Sequence, residues 1–327
     1  MATATLSAPA IAPQPPQWKK WALRAAVATL VVVAAVGAAL DSRKAHTLTE
    51  KDYTLLTDFT NTTGDGVFDG TLKQALAVQL QQSPFLNVFP EERVTVPVAR
   101  DLCQREGVKA VMAGAISAIG SSYVVSLEAL NCKTGDTIAR EQQEASSKEQ
   151  VLGALGKAGK NMREPLGESV ASIQKFDVPV EQATTSSLEA LKAYSMGNEK
   201  RARGGDLASI PFFKRAVEID PNFAMAYVRL AAIYRNMSEQ KLSEQNGRKA
   251  FELRDRTSER EKFYITDRYY SNVLGDLPKS IENYELWIQT YPRDWVPKKQ
   301  SGRCLREHGR LSEECGAGPG GASAAAR

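Results

Sequence analysis

Between Leu188 and Pro297 one pattern returns after thirty-four residues: Met196, Gly197, Ala216 and Ile219 are matched by Leu230, Ala231, Ala250 and Leu253. A recurrence of this length fits a pair of antiparallel helices, a unit that cannot bury its apolar face without a neighbour. The region is therefore predicted to fold as a row of helical hairpins with a concave side, an architecture suited to docking more than to catalysis.

The first hairpin is predicted over 188–203 and 207–219, with Asp220-Pro221-Asn222 as the turn that leads out of it. The second runs over 223–237 and 241–254. Gly197 and Ala231 are small enough to let paired helices approach, while Phe213, Ala216, Ala226, Tyr227, Leu230 and Ala250 supply the seam. A third unit is offset by three residues after the insertion 256–259, and Tyr264, Gly275, Tyr284, Trp287 and Pro292 stand at its pattern positions. The period is that of the tetratricopeptide repeat.

Nine first-helix residues are predicted to face the groove. They are Tyr194, Asn198 and Arg201, then Val228, Arg235 and Asn236, then Ile265, Tyr269 and Asn272. This mixture of aromatic surface with amide and guanidinium donors suits an extended peptide or protein segment. The alternative for each residue is a solvated position or a contact with the next repeat.

Before the repeats, residues 45–176 mix strand and helix signals. Residues 52–59 read as a strand ending in the turn-rich Asn61-Thr62-Thr63-Gly64-Asp65-Gly66, and a helix follows with Leu72, Ala75, Leu76 and Leu80 on one face and Asp69 placed to cap it. A short strand is predicted at 85–89 and a short helix at 98–104. The β-branched runs 110–119 and 123–130, separated by Gly120-Ser121-Ser122, form a hairpin signal, with a third antiparallel strand at 136–144 and a helix over 151–173. The predicted fold class is thus a small α+β domain on a mainly antiparallel sheet, followed by an all-α tetratricopeptide-repeat solenoid, with one N-terminal transmembrane helix.

That transmembrane helix is residues 21–40, apolar except for Arg24 and flanked by Trp18, Lys19, Lys20 and Trp21. Twenty helical residues cover the ~30 Å hydrocarbon core. The cations before it favour a cytoplasmic N-terminus, although Arg43 and Lys44 follow it. The alternative is a cleaved secretory signal, for which Ala35-Val36-Gly37 and Gly37-Ala38-Ala39 offer small-residue sites. Both readings put the bulk of the chain outside the cytoplasm, in a periplasm-like compartment. Residues 1–20 read as a disordered segment on the cytoplasmic side.

The formal charge of +4 is concentrated after Pro297, where six cations face three carboxylates (Glu307, Glu313 and Glu314). The body is almost neutral, so a nucleic-acid partner is not expected. Residues 298–327 carry no helical stripe and end in Gly-Ala-Gly-Pro-Gly-Gly-Ala-Ser-Ala-Ala-Ala-Arg. This tail reads as disordered, and a frameshift or premature end in place of further repeats is one origin for it.

Site chemistry is sparse. Cys103 and Cys132 lie in the exported part, where they form a disulfide or remain as two buried thiols. Asp58, Asn61, Asp65 and Asp69 are open to a calcium-loop reading, yet turn formation and capping explain the same residues. Cys304, His308 and Cys315 have loosely metal-like spacing in a segment without a core pattern. His46 and His308 are the two histidines, so no histidine triad can be assembled from the folded regions, and no phosphate-cradling glycine loop occurs. No metal, cofactor or enzymatic activity is predicted.

Two stretches carry a resemblance. Asp58-Phe59-Thr60-Asn61-Thr62-Thr63-Gly64-Asp65 with Phe68-Asp69-Gly70, and the hairpin from Val111-Met112-Ala113-Gly114 to Asn131-Cys132-Lys133-Thr134-Gly135-Asp136, resemble the TolB N-terminal-like or FlgO-like module of bacteria. With Ala183-Thr184-Thr185-Ser186-Ser187-Leu188-Glu189-Ala190-Leu191-Lys192-Ala193-Tyr194 and Tyr291-Pro292-Arg293-Asp294-Trp295-Val296-Pro297, the region 45–297 is similar to the exported C-terminal half of acidobacterial-type membrane-spanning serine/threonine kinases. The resemblance implies a membrane-anchored sensor or scaffold that binds a protein partner. The glycine-rich loop, lysine strand and catalytic His-Arg-Asp of a kinase are absent from this sequence. Two further readings stay open: a fragment of a kinase whose catalytic domain is missing or separately encoded, and a structural part of an envelope assembly.

Overall fold

The apolar alternation of 110–130 yields the two longest strands of a six-stranded sheet, β4 (Val108–Ile119) and β5 (Ser122–Asn131), paired antiparallel from Ala110↔Asn131 to Ile119↔Ser122. Gly120 opens their two-residue turn at φ 61, the left-handed geometry that matches strand twist. β6 (Thr137–Ala145) extends the antiparallel half as predicted. The computed structural model describes residues 48–49, 52–88, 108–294 and 296–297, all within one compact unit that begins at Leu48.

The other half of the sheet corrects the expectation of mainly antiparallel pairing. β1 (Tyr53–Leu56), β2 (Thr60–Asn61) and β3 (Asn87–Val88) all run parallel to their neighbours, and the strand order is β3-β1-β4-β5-β6 with β2 on β4. Parallel pairing needs a crossover, and α1 (Thr71–Gln81) supplies it between β1 and β3. Asp69 does not cap α1. Gly70, at φ 73, holds the cap position, and Asp69 instead accepts from Asn61 Nδ2 at 2.8 Å.

α1 and α2 (Val151–Arg163) cover one face of the sheet, burying Leu72, Leu76, Leu152 and Leu155 against Met112, Ile116, Val125 and Leu127. The helix predicted over 151–173 is broken after Arg163. Pro165 has no N–H to continue it, and Glu168 turns back to meet the Arg163 side chain before α3 (Val170–Lys175) begins. A single turn, α4 (Val180–Ala183), leads to the helices.

The helical region follows the predicted hairpins closely. α5 (Leu188–Ile219) is two helices joined without a loop, broken at Gly205, whose φ of 81 and ψ of −177 reverse the chain; a side chain there would be strained. α6 (Ala224–Asn236) and α7 (Gln240–Glu252) make the second hairpin, and α8 (Glu259–Tyr269) and α9 (Leu277–Thr290) the third, joined through a π-helical turn at Tyr270–Leu274. Ser187, Ser258 and Asp276 cap α5, α8 and α9 through Ala190, Glu261 and Lys279 amides. At Gly197 a Cβ would stand 2.8 Å from the Phe213 ring, so the small residue does set the approach of the two arms of α5.

One hydrophobic core runs from Leu48 through the sheet and into the hairpins as far as Ile265. A second cluster of Tyr284, Trp287 and Tyr291 packs with Phe176 and Phe263. The predicted membrane helix at 21–40, the segment 1–20, the helix at 98–104 and the tail after Pro297 lie outside the described residues, among which no helix is long and apolar enough to cross a membrane.

Candidate functional site

α5 lies across the start of α1. Lys192 Nζ donates to the Asp69 carbonyl at 2.6 Å, Ser195 Oγ to the Gly70 carbonyl at 3.2 Å, and Asn198 Nδ2 to Gln74 Oε1 at 3.4 Å. The third hairpin returns to the other end of the same helix, where Arg260 Nη1 donates to Gln81 Oε1 at 3.1 Å and the Tyr291 hydroxyl to the Gln82 carbonyl at 3.4 Å. Between α1 and the first helices of the three hairpins lies a cavity of about 1100 Å³.

Its lining is cationic. Arg201, Arg203, Arg229, Arg260, Arg268 and Arg293 contribute, with Lys73 and Lys192 on the α1 side. Against these eight cations stand five carboxylates, Asp58, Asp69, Glu199, Glu261 and Asp294. Several cations are matched by partners: Lys73 by Asp58 at 2.9 Å, Arg201 by Asp206 at 2.6 Å, and Arg260 by both oxygens of Asp294 at 2.6 and 3.1 Å. Trp287 Nε1 donates to the same Asp294 at 3.1 Å, so the indole fixes the acid that fixes Arg260.

At the floor the groups come from three helices. Tyr194 packs on Phe213 and Phe223, with centroids 5.5 and 4.9 Å away, and its hydroxyl accepts from Arg229 Nε at 3.2 Å. The Arg229 and Arg268 guanidinium carbons lie 5.7 and 5.1 Å from the centroid of the Tyr264 ring. Burial pushes the Tyr264 hydroxyl up, but the charges of Arg268, Arg229 and Arg201 outweigh it and hold the phenol below its ordinary range. Beside them Glu261 is 8% exposed, and its Oε2 has no hydrogen-bond partner among the described residues. Burial pushes this carboxyl up to about 7 even though Arg260 and Arg229 pull it down.

The Glu261 shift has a sign. The folded state holds its proton more tightly than the unfolded chain, so stability falls as pH rises from the ordinary 4.5 to about 7 and the loss is complete above that. The shift corresponds to a few kcal/mol, up to about 3. Glu261→Gln should raise the thermal midpoint at about pH 8 and leave it nearly unchanged at about pH 4. An unchanged midpoint at the higher pH would show that the acid is accommodated at no cost.

Of the nine predicted groove residues, Tyr194, Asn198 and Arg201 line the cavity. The other six stand elsewhere. Val228 and Ile265 are each 1% exposed and belong to the core, a correction of about one residue in the facing of α6 and α8. Arg235 donates to the Asn272 carbonyl at 3.3 Å, Asn236 to Asp206 Oδ2 at 2.6 Å, and Tyr269 stacks on Phe251 at 3.9 Å. The residues missed are Arg229, Arg260, Glu261, Tyr264 and Arg268. The i, i+4 steps Met225 to Arg229 and Arg260 to Tyr264 to Arg268 put all of them but Glu261 on single helix faces, and that spacing was the available signal.

The acidic turn before α1 is occupied by protein groups. Asp58 pairs with Lys73, Asp65 accepts from the Val67 amide and pairs with Lys148 at 2.8 Å, and Asn61 bridges the Asp65 carbonyl to Asp69. Cys132 is disulfide-bonded. Its predicted partner Cys103, together with Cys304, His308 and Cys315, lies outside the described residues.

No family model and no curated protein matches the sequence. Among solved structures the chain is similar to the PelC dodecamer subunit from Paraburkholderia phytofirmans, at 14% identity and TM-score 0.29 over 38% of this chain and 93% of that one. It is also similar to lipoprotein GNA1162 from Neisseria meningitidis, at 16% and 0.27 over 34% and 96%. TolB from Acinetobacter baumannii matches at 9% and 0.25, over 37% of this chain and 28% of its own. A TolB protein is therefore among the weak structural neighbours, and none of the three bears on kinases or on tetratricopeptide repeats.

Proposed function

We propose that this chain is a membrane-anchored, extracytoplasmic binding protein whose three hairpins form a tetratricopeptide-repeat scaffold, with residues 21–40 as the anchor. The observation that supports docking most directly is the cavity, walled by three first helices on one side and by α1 on the other. A disulfide at Cys132 suits an oxidising compartment. In the kinase resemblance this region is the sensing half of a receptor, and the ligand is a protein or peptide segment.

The test is selection of a random peptide display library on the full-length chain in detergent, beside the variant Ala77→Trp, which fills the cavity from the α1 wall. Sequences enriched on the native chain and lost on the variant are expected. Equal enrichment on both, or none on either, would refute docking in the cavity.

A further inference from the structure

This inference rests on the docking reading and concerns the chemistry of what docks. The cations toward the rim are neutralised within the protein, Arg201 by Asp206 and Arg203 by Glu199 at 3.3 Å. The floor differs. Arg229 spends its described hydrogen bond on the uncharged Tyr194 hydroxyl. Arg268 forms an ion pair with Asp267 at 3.8 Å, too long for a hydrogen bond, and its buried Nε makes no hydrogen bond among the described residues.

Two guanidinium groups from different helices thus converge on one aromatic ring with donors to spare, deep in a cavity that also holds a nine-tenths-buried, unpartnered acceptor, Glu261 Oε2. Buried donors and acceptors are ordinarily matched, and leaving them so is costly. A ligand that offers an anion to the arginines and an N–H to Glu261 satisfies all of them. A polypeptide with an acidic side chain carries both groups.

We propose that the cavity takes an acidic peptide segment, with one carboxylate seated on Arg229 and Arg268 beside the Tyr264 ring. A carboxylate suits the floor better than a phosphate does. Glu261 lines the cavity and Asp267 lies 3.8 Å from Arg268, so a doubly charged group would meet more repulsion than the single charge of a carboxylate. A segment has room here, since about 1100 Å³ lies at the upper end of the roughly 300–1,000 Å³ typical of ligand pockets. The half-buried Phe59 ring, which also lines the cavity, gives the rest of a peptide an apolar surface to cover.

The experiment is a fluorescence-anisotropy titration of the full-length chain with labelled short poly-L-glutamate, poly-L-glutamine as the neutral probe, and inorganic phosphate as competitor. Poly-L-glutamate is expected to bind, and Arg229→Gln and Arg268→Gln each to weaken it about tenfold or more, the scale of a lost charged hydrogen bond. Arg268→Lys should recover part of that loss, and Arg215→Gln, on the exposed side of α5, should leave the affinity unchanged. Thermal midpoints within a few degrees of the native chain certify that the glutamine variants are folded; if either is not, the Arg268→Lys variant carries the comparison. Equal binding of the two polypeptides, no binding of poly-L-glutamate, displacement by phosphate at equal concentration, or indifference to both arginine changes would overturn the proposal. If library capture still depends on the open cavity while poly-L-glutamate is ignored, docking stands and the acidic ligand falls. If Ala77→Trp leaves poly-L-glutamate bound, that polypeptide sits outside the cavity and the acidic ligand falls, while docking is decided by the library alone.

Discussion

Glu168→Ala is expected to lower the thermal midpoint by roughly 10 °C, the equivalent of about 3–5 kcal/mol in a unit of this size. Arg163 and Glu168 are both fully buried, and they meet in two parallel bonds, Nε to Oε2 and Nη2 to Oε1, each of 2.7 Å. Arg163 Nη1 also reaches the Phe176 carbonyl at 3.2 Å, and Ser172 Oγ donates to Glu168 at 2.6 Å. Removing the acid strands a guanidinium in the core, with Asp177 at 3.8 Å the one carboxylate left to answer it among the described residues. The double change Arg163→Met with Glu168→Leu takes away both buried charges, so it should cost much less than the single one. Melting followed by circular dichroism measures both. A double variant no more stable than the single would show that the pair acts through geometry, by turning the chain between α2 and α3, and not through charge.

Trp287→Ala should cost a comparable amount, about 3–5 kcal/mol, because it empties a fully buried site. The indole stacks with Phe263 at 6.1 Å and meets Tyr264 edge-on at 6.4 Å. It also donates to Asp294, and Asp294 holds Arg260 toward Gln81. The loss should therefore be local as well as global: amide exchange is expected to quicken across α8 and α9 well before it does in the sheet. Trp287→Phe keeps most of the packing and drops the N–H, so a loss of about 1 kcal/mol is expected. Uniform exchange across the sheet and hairpins in Trp287→Ala would refute the idea that the third hairpin is held at this point.

What could be read from the sequence divides along physical lines. The hairpins were legible because a period of thirty-four residues and the small Gly197 express contacts made within or between neighbouring units. The β4–β5 pair was legible for the same reason, since Gly120 sets a local turn. The parallel half of the sheet was not. Tyr53–Leu56 is four residues long, and its place beside β3 depends on a crossover through α1 that no short pattern encodes. The cavity was legible only in part. Tyr194, Asn198 and Arg201 follow from the first hairpin, but an error of one residue, about 100° around a helix axis, exchanged Arg229 for Val228 and Tyr264 for Ile265. The α1 wall could not be foreseen, because it reaches the hairpins through contacts such as Lys192 to Asp69, made by residues far apart in the chain.

The bonds from the third hairpin back to α1 are the longest-range ties in the site: Gln81 to Arg260 spans 179 residues and Gln82 to Tyr291 spans 209. During synthesis the sheet strands and the first two hairpins can form as they emerge, since their partners are near in sequence. The third hairpin cannot, because it closes the site through Arg260 and Tyr291. Until Tyr291 has left the ribosome, the arginine floor faces an open side, so a binding-competent cavity appears only near the end of translation and every shorter nascent chain lacks one.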